Sequence, residues 1–252
     1  HKIPFIILVG SLLATWCGGG GITGSAGVVY TGGPWVGALT FAAPPIGIIL
    51  LYFIAGKVRK SNKVTVPEIM GTRYGTVASI ISALCVMLAY VGVLATQLKA
   101  AANILVLLCS SSNIEMSHGM ALAICTVIVV IITVGGGLVS VAYSDAVSAL
   151  IMIGGFFLAI PILMHAASTQ GAVLPPEKTA LTGGMSGWTI LGYFLPSLAL
   201  MLGDQNMLQR FASAKNSDEA KKSNIGMFIG ELLVIISIIA LVTQAAKLYP
   251  SL

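Results

Sequence analysis

The chain has 252 residues, 57% hydrophobic and only 8% charged, against roughly 25% charged in an ordinary soluble domain, which excludes a soluble globular protein. Its formal charge of +5 follows from where a few basic loops fall, so a nucleic-acid partner has no support. No HExxH occurs, the glycine run lacks the Lys-Ser/Thr pair of a phosphate loop, and His118 and His165 stand alone at segment ends, so neither an enzyme nor a bound cofactor is expected.

Apolar segments suited to helices of about 20 residues recur from end to end, without the alternation of an outer-membrane barrel. The expected fold class is all-α integral membrane, with spans over Ile3 to Val29, Trp35 to Gly56, Thr76 to Cys109, Gly119 to Val134, Leu138 to His165, Trp188 to Gln209 and Asn224 to Leu248. The first holds four consecutive glycines, Gly18 to Gly21. Unwound backbone at membrane depth survives only inside protein or around a cavity, and broken helices commonly surround a bound solute or ion.

The second span is followed by Lys57, Arg59, Lys60, Lys63 and Arg73, and the sixth by Arg210, Lys215, Lys221 and Lys222. The intervening loops 110–118 and 166–187 contribute only Lys178. Short cytoplasmic loops are rich in Lys and Arg, so the N-terminal end is expected inside and the C-terminal end outside. The third span is long enough to tilt or project, and the fourth barely crosses. Gly135-Gly-Gly137 separates the fourth and fifth spans, and the 166–187 loop could carry a short helix or a lid. After the sixth span, Asn216 or Ser217 is expected to cap a short helix whose acidic first turn, Asp218 and Glu219, suits the helix dipole.

Ionisable groups inside a bilayer are costly and usually functional. Four stand within the spans: Lys99, Asp145, Asp204 and Glu231. Asp145, with Tyr143, Ser144 and Ser148 around it, could hold a sodium ion or a proton, or be a carboxylate drawn to a helix start. Asp204 sits where an apolar span turns into Gly203-Asp-Gln-Asn206, either unwound toward a solute or already at the cytoplasmic surface. Lys99 shares a helical face with Thr96 and Asn103, expected to point into the bundle, where the lysine contacts substrate, snorkels or pairs with a carboxylate purely for structure. Glu231 ranks lowest. Trp16, just before the glycines, is either an aromatic wall beside a solute or a packing residue. Cys17, Cys85, Cys109 and Cys125 lack metal-ligand spacing and read as small buried hydrophobes.

Three segments together resemble the sodium:solute symporter family: 11–24 (SLLATWCGGGGITG), 135–155 (GGGLVSVAYSDAVSALIMIGG) and 205–223 (QNMLQRFASAKNSDEAKKS). The first two look closest to its choline-transporter branch. The resemblance implies a broken-helix inverted-repeat transporter core, with residues 1–165 as the first five-helix repeat, 166–187 as an extracellular loop and 188–252 as the first two helices of the second repeat. It also implies sodium-coupled symport of a small polar organic solute by alternating access. By position, Ala14 and Cys17 would offer backbone carbonyls to sodium and Asp145 would serve a second sodium site or the ion's cytoplasmic path. Asp204 and Gln205 would meet the solute, for which Gly20 and Gly21 clear room; sugar-transporting members carry polar side chains there. His1 in place of Met and the missing later helices are expected of a partial chain, inactive alone. The other reading is a transporter-like sensor module joined to a signalling domain.

Overall fold

The computed structural model describes residues 3–250, apart from the surroundings of Gly20, Leu138 and Val139. All seven expected segments are helical. The first is a bent pair, α1 (Phe5–Trp16) and α2 (Gly19–Gly32), which meet at 56°. The second is α3 (Pro34–Thr40) followed after a turn by α4 (Ala43–Ser61). A short α5 (Val66–Tyr74) leads into α6 (Thr76–Ser111), a single helix of 36 residues. The fourth and fifth spans form one helical run, α7 (His118–Thr169), kinked at Gly137 with φ 63° and ψ 174°. That left-handed φ favours glycine, which is why the triplet here turns the chain without a loop.

The sixth span is α8 (Gly187–Gly203) and α9 (Gln205–Ser213), separated by Asp204. The seventh is α10 (Ser217–Leu248). Asn216 caps α10 by accepting from the Glu219 N–H at 2.8 Å. No separate cytoplasmic helix forms: the charged segment expected to be one is the first two turns of α10, because nothing between Lys222 and Asn224 breaks the run.

Among the described residues, five helices are long and apolar enough to cross a membrane, six when the bent α1/α2 pair counts as one span. The 17-residue α8 falls just short, at about 25 Å for 1.5 Å per residue. The outer faces of α6 and α7 are lined with exposed Val, Ile and Leu, the surface a lipid-facing helix presents. The chain is a multi-pass membrane protein.

The core gathers Leu8 and Leu12 of α1, Ile48 and Leu51 of α4, Met207 and Phe211 of α9, and Met227 of α10. Without a hydrophobic drive between helices in lipid, close packing relies on small residues. Here Gly226 and Gly230, one turn apart on α10, take the side chains of Val9 and Leu13 from α1, where a Cβ would come within 2.7 and 2.9 Å of them. The basic loops meet at one end of the bundle, where Arg59 Nε donates to the Ala214 carbonyl at 2.6 Å and Ser217 Oγ to that of Gly56 at 3.2 Å. At the other end the 166–187 loop, with a short 3₁₀ turn at Pro176–Lys178, docks on the tip of α2. Its Lys178 Nζ lies 4.3 Å from the centre of the Tyr30 ring.

Candidate functional site

The two breaks face one cavity of about 460 Å³. The first break falls at Cys17 and Gly18, where Gly18 is extended (φ −70°, ψ 160°). The glycines after it are already helical, so the unwound residues precede most of the run expected to be broken. Glycine is still needed at the break: a Cβ on Gly18 would sit 2.0 Å from Gln97 Nε2, which reaches across from α6. Among the described residues no backbone N–H donates to the carbonyls of Ala14 or Cys17. Those oxygens are the kind of hard ligand an alkali cation takes.

The second break is built by Asp204. Its Oδ1 accepts from the Met207 N–H at 2.8 Å, capping α9, and its Oδ2 accepts from the Tyr90 hydroxyl at 3.1 Å. The Tyr90 oxygen in turn accepts from the Asn206 N–H at 3.0 Å. One α6 side chain thus satisfies the backbone that the break exposes, as low-dielectric surroundings require.

Both breaks contribute to the cavity wall: Trp16, Cys17 and Gly21 from the first, Asp204 and Asn206 from the second. Tyr90, Thr96 and Gln97 enter from α6, Tyr193 and Ser197 from α8, and Glu231 from α10. Glu231 is 3% exposed. Its Oε2 accepts from Cys17 Sγ at 3.3 Å, and the Trp16 side chain approaches the same carboxylate. Among the described residues the lining has two carboxylates, four aromatic rings (Trp16, Phe41, Tyr90 and Tyr193) and no Lys or Arg.

The expected residues divide. Gly21, Cys17 and Asp204 line the cavity; the surroundings of Gly20 lie outside the described residues. Gln205 does not line it: buried on the other side, its Oε1 accepts from the Val66 N–H at 2.7 Å and anchors the start of α5. Lys99 is exposed and Asn103 pairs with His118 Nε2 at 2.8 Å, so of the polar stripe on α6 only Thr96 reaches the cavity.

Asp145 is also away from the cavity, between α7, α1 and α9. Its Oδ2 accepts from Arg210 Nη2 at 2.6 Å and from Ser11 Oγ at 2.9 Å, while Arg210 Nε donates to the same Ser11 oxygen at 2.7 Å. Tyr143, Ser144 and Ser148, expected beside it, face outward. Sequence reasoning put Arg210 in a loop, missed Tyr90 and Gln97, and ranked Glu231 last. Glu231 did carry a signal, a lone carboxylate in an apolar helix, directly after Gly230 of the contact stripe.

The sequence signature of the sodium:solute symporter family fits residues 4–251. The chain is 28% identical over 233 residues to the human high affinity choline transporter 1, covering 85% of this chain and 38% of that one. It is 27% identical over 170 residues to the Drosophila melanogaster high-affinity choline transporter 1, covering 64% and 25%. It is 27% identical over 248 residues to the zebrafish (Danio rerio) sodium/glucose cotransporter 4, covering 85% and 36%. It therefore spans less than two-fifths of the length of these relatives. With its broken helices around a shared cavity, and a signature matched almost from end to end, the chain belongs to the sodium:solute symporter family.

Proposed function

We propose that the full protein is a sodium-coupled symporter of a small organic cation, working by alternating access around the two breaks. It is a transporter core rather than an enzyme. The observation that carries the solute class is the cavity wall, with Asp204, Glu231 and four aromatic rings and, among the described residues, no basic side chain. Carboxylates complement a positive nitrogen, and aromatic faces add a cation–π attraction that grows when water is excluded. The similarity to choline transporters in two animals supports the same class.

Sodium is the coupling ion in this reading, held in part by the carbonyls of Ala14 and Cys17. Those carbonyls and the cavity meet at one break, so ion binding would fix the geometry that the solute meets. Residues 1–165 then act as the first repeat, 166–187 as the extracellular loop and 188–252 as the start of the second. Two observations favour the repeat: α1/α2 and α8/α9 are both interrupted, and both line one cavity.

The test is a ligand screen by thermal shift on the full-length protein, with and without sodium, because a ligand of the native state stabilises it by about 2.7 kcal/mol at a hundredfold excess over Kd. Quaternary and protonated amines should raise Tm only when sodium is present. Stabilisation by sugars or carboxylic acids alone would overturn the solute class. Equal shifts in sodium and potassium would overturn the coupling.

A further inference from the structure

The cavity holds two carboxylates, and they are not equivalent. Both oxygens of Asp204 are engaged by groups that define the break, the Met207 N–H and the Tyr90 hydroxyl. Removing that carboxylate would leave the first turn of α9 uncapped, so Asp204 is committed to shape. Glu231 is more deeply buried, on an unbroken helix, and it is met by a thiol, Cys17 Sγ at 3.3 Å, and by the Trp16 side chain. A thiol is a weak donor. Among the described residues no Lys or Arg lies within ion-pair reach of Glu231.

Ionising a carboxylate buried this deeply, with a thiol and an indole but no basic side chain beside it, is costly, and a cation seated against it offsets that cost. Its neighbours in the wall say where that cation would sit. Trp16 stands beside the carboxylate, Val234, Ile235 and Ile238 extend the same wall from α10, and the unwound Cys17 lies directly opposite. An indole, a carboxylate and an apolar strip together suit a positive nitrogen bearing alkyl groups better than a bare ion, which would leave the apolar strip without a partner.

Resting on the proposal that the cavity takes an organic cation, we infer that Glu231 is its counter-ion: the Glu231 carboxylate receives the charged nitrogen, the Trp16 ring flanks it, and Asp204 holds the second break in shape. The Cys17 thiol keeps the carboxylate aimed across the break and is the partner the cation displaces. Since Glu231 and Cys17 lie on α10 and at the first break, occupation links the two elements directly.

The experiment measures binding of choline and of its neutral isostere 3,3-dimethyl-1-butanol to full-length protein, in saturating and in low sodium, for wild type, Glu231→Gln, Glu231→Asp and Asp204→Asn. Glu231→Gln should weaken choline by roughly tenfold or more, as loss of one member of a buried charge pair does, while binding of the neutral isostere holds. Glu231→Asp should recover much of the choline affinity, which also shows that the site still folds. Asp204→Asn should lower Tm more than it separates the two probes. Equal choline affinity in Glu231→Gln and wild type, or equal losses of both probes, would overturn the assignment. So would a choline loss confined to low sodium, which would make Glu231 an ion ligand. If wild type binds no organic cation in sodium, the proposed function fails as well; if wild type binds and Glu231→Gln matches it, only the counter-ion role fails.

Discussion

Arg210 donates from Nη2 to Asp145 Oδ2 at 2.6 Å, joining α9 to the fifth span across 65 residues of chain. Ser11 of α1 is hydrogen-bonded to both partners. The helix after the second break is thereby tied to the helix before the first, by a guanidinium whose side chain is 7% exposed.

Asp145→Asn should therefore act first on stability. Stranding a buried guanidinium costs about 3–5 kcal/mol, and removing both charges is far milder. Thermal unfolding of the single variant and of Asp145→Asn with Arg210→Met should show a large loss and then a partial recovery. A variant of unchanged Tm that needs more sodium for half-maximal transport would return Asp145 to the ion path.

Tyr90→Phe removes one hydroxyl that serves both Asp204 and the Asn206 N–H. Leaving buried groups unpaired costs about 1–3 kcal/mol. We expect a lower Tm together with weaker solute binding, read on the same sample by calorimetry. Wild-type values for both would show that Tyr90 is not what holds the second break.

The two glycines of the first break should respond differently. A Cβ at Gly21 meets only the Trp16 carbonyl at 3.6 Å, an ordinary contact. Gly21→Ala should fold and bind; Gly21→Leu should fold but fill the cavity and abolish binding. Gly18→Ala should displace the Gln97 amide, visible as a change in cysteine reactivity at Cys17 when that amide moves. Normal binding by Gly21→Leu would remove the glycine from the site.

Outside the bilayer, the Val64 N–H donates to Glu68 Oε2 at 3.1 Å and Lys63 Nζ lies 3.2 Å from its other oxygen. That backbone bond, then Lys63, hold the Glu68 carboxyl below its ordinary value of 4.5. A carboxyl depressed in the folded state stabilises that state above its unfolded value and loses the contribution as pH falls through its folded one. The turn between α4 and α5 should loosen in acid below 4.5. Hydrogen exchange at the Val64 amide should show protection falling with pH, and Glu68→Gln should flatten the dependence.

Hydropathy was enough to find the seven helical segments, because each must bury or face lipid with most of its length. The breaks were legible for different reasons. Gly203 to Asn206 showed an abrupt change of polarity, and the structure puts the interruption there, at Asp204. The glycine run pointed to the first break but misplaced it by a few residues: Gly19 to Gly21 continue a helix that Gly18 starts, since glycine permits unwinding without requiring it. The start of α5 carried a sequence sign, Thr65-Val-Pro-Glu68, in which Thr65 accepts from the Glu68 N–H at 3.2 Å. The partners of Asp145 and Glu231 were not legible. Arg210 and Cys17 are set by packing between helices distant in sequence, which no local spacing encodes. Gln205 misled because a polar residue next to a break resembles a ligand, yet its amide serves α5.

The docking of the 166–187 loop has a mechanical side. A Cβ on Gly33 would lie 2.0 Å from the Lys178 carbonyl, and one on Gly183 2.0 Å from that of Gly32. The Tyr30 hydroxyl also reaches back to the Tyr249 carbonyl. Backbone pressed on backbone at two points leaves the loop no play, so any tilt of the outer half-helix is carried to it like the motion of a lever to its handle. A spin label on exposed Glu177 would then report the angle of α2, without touching the cavity.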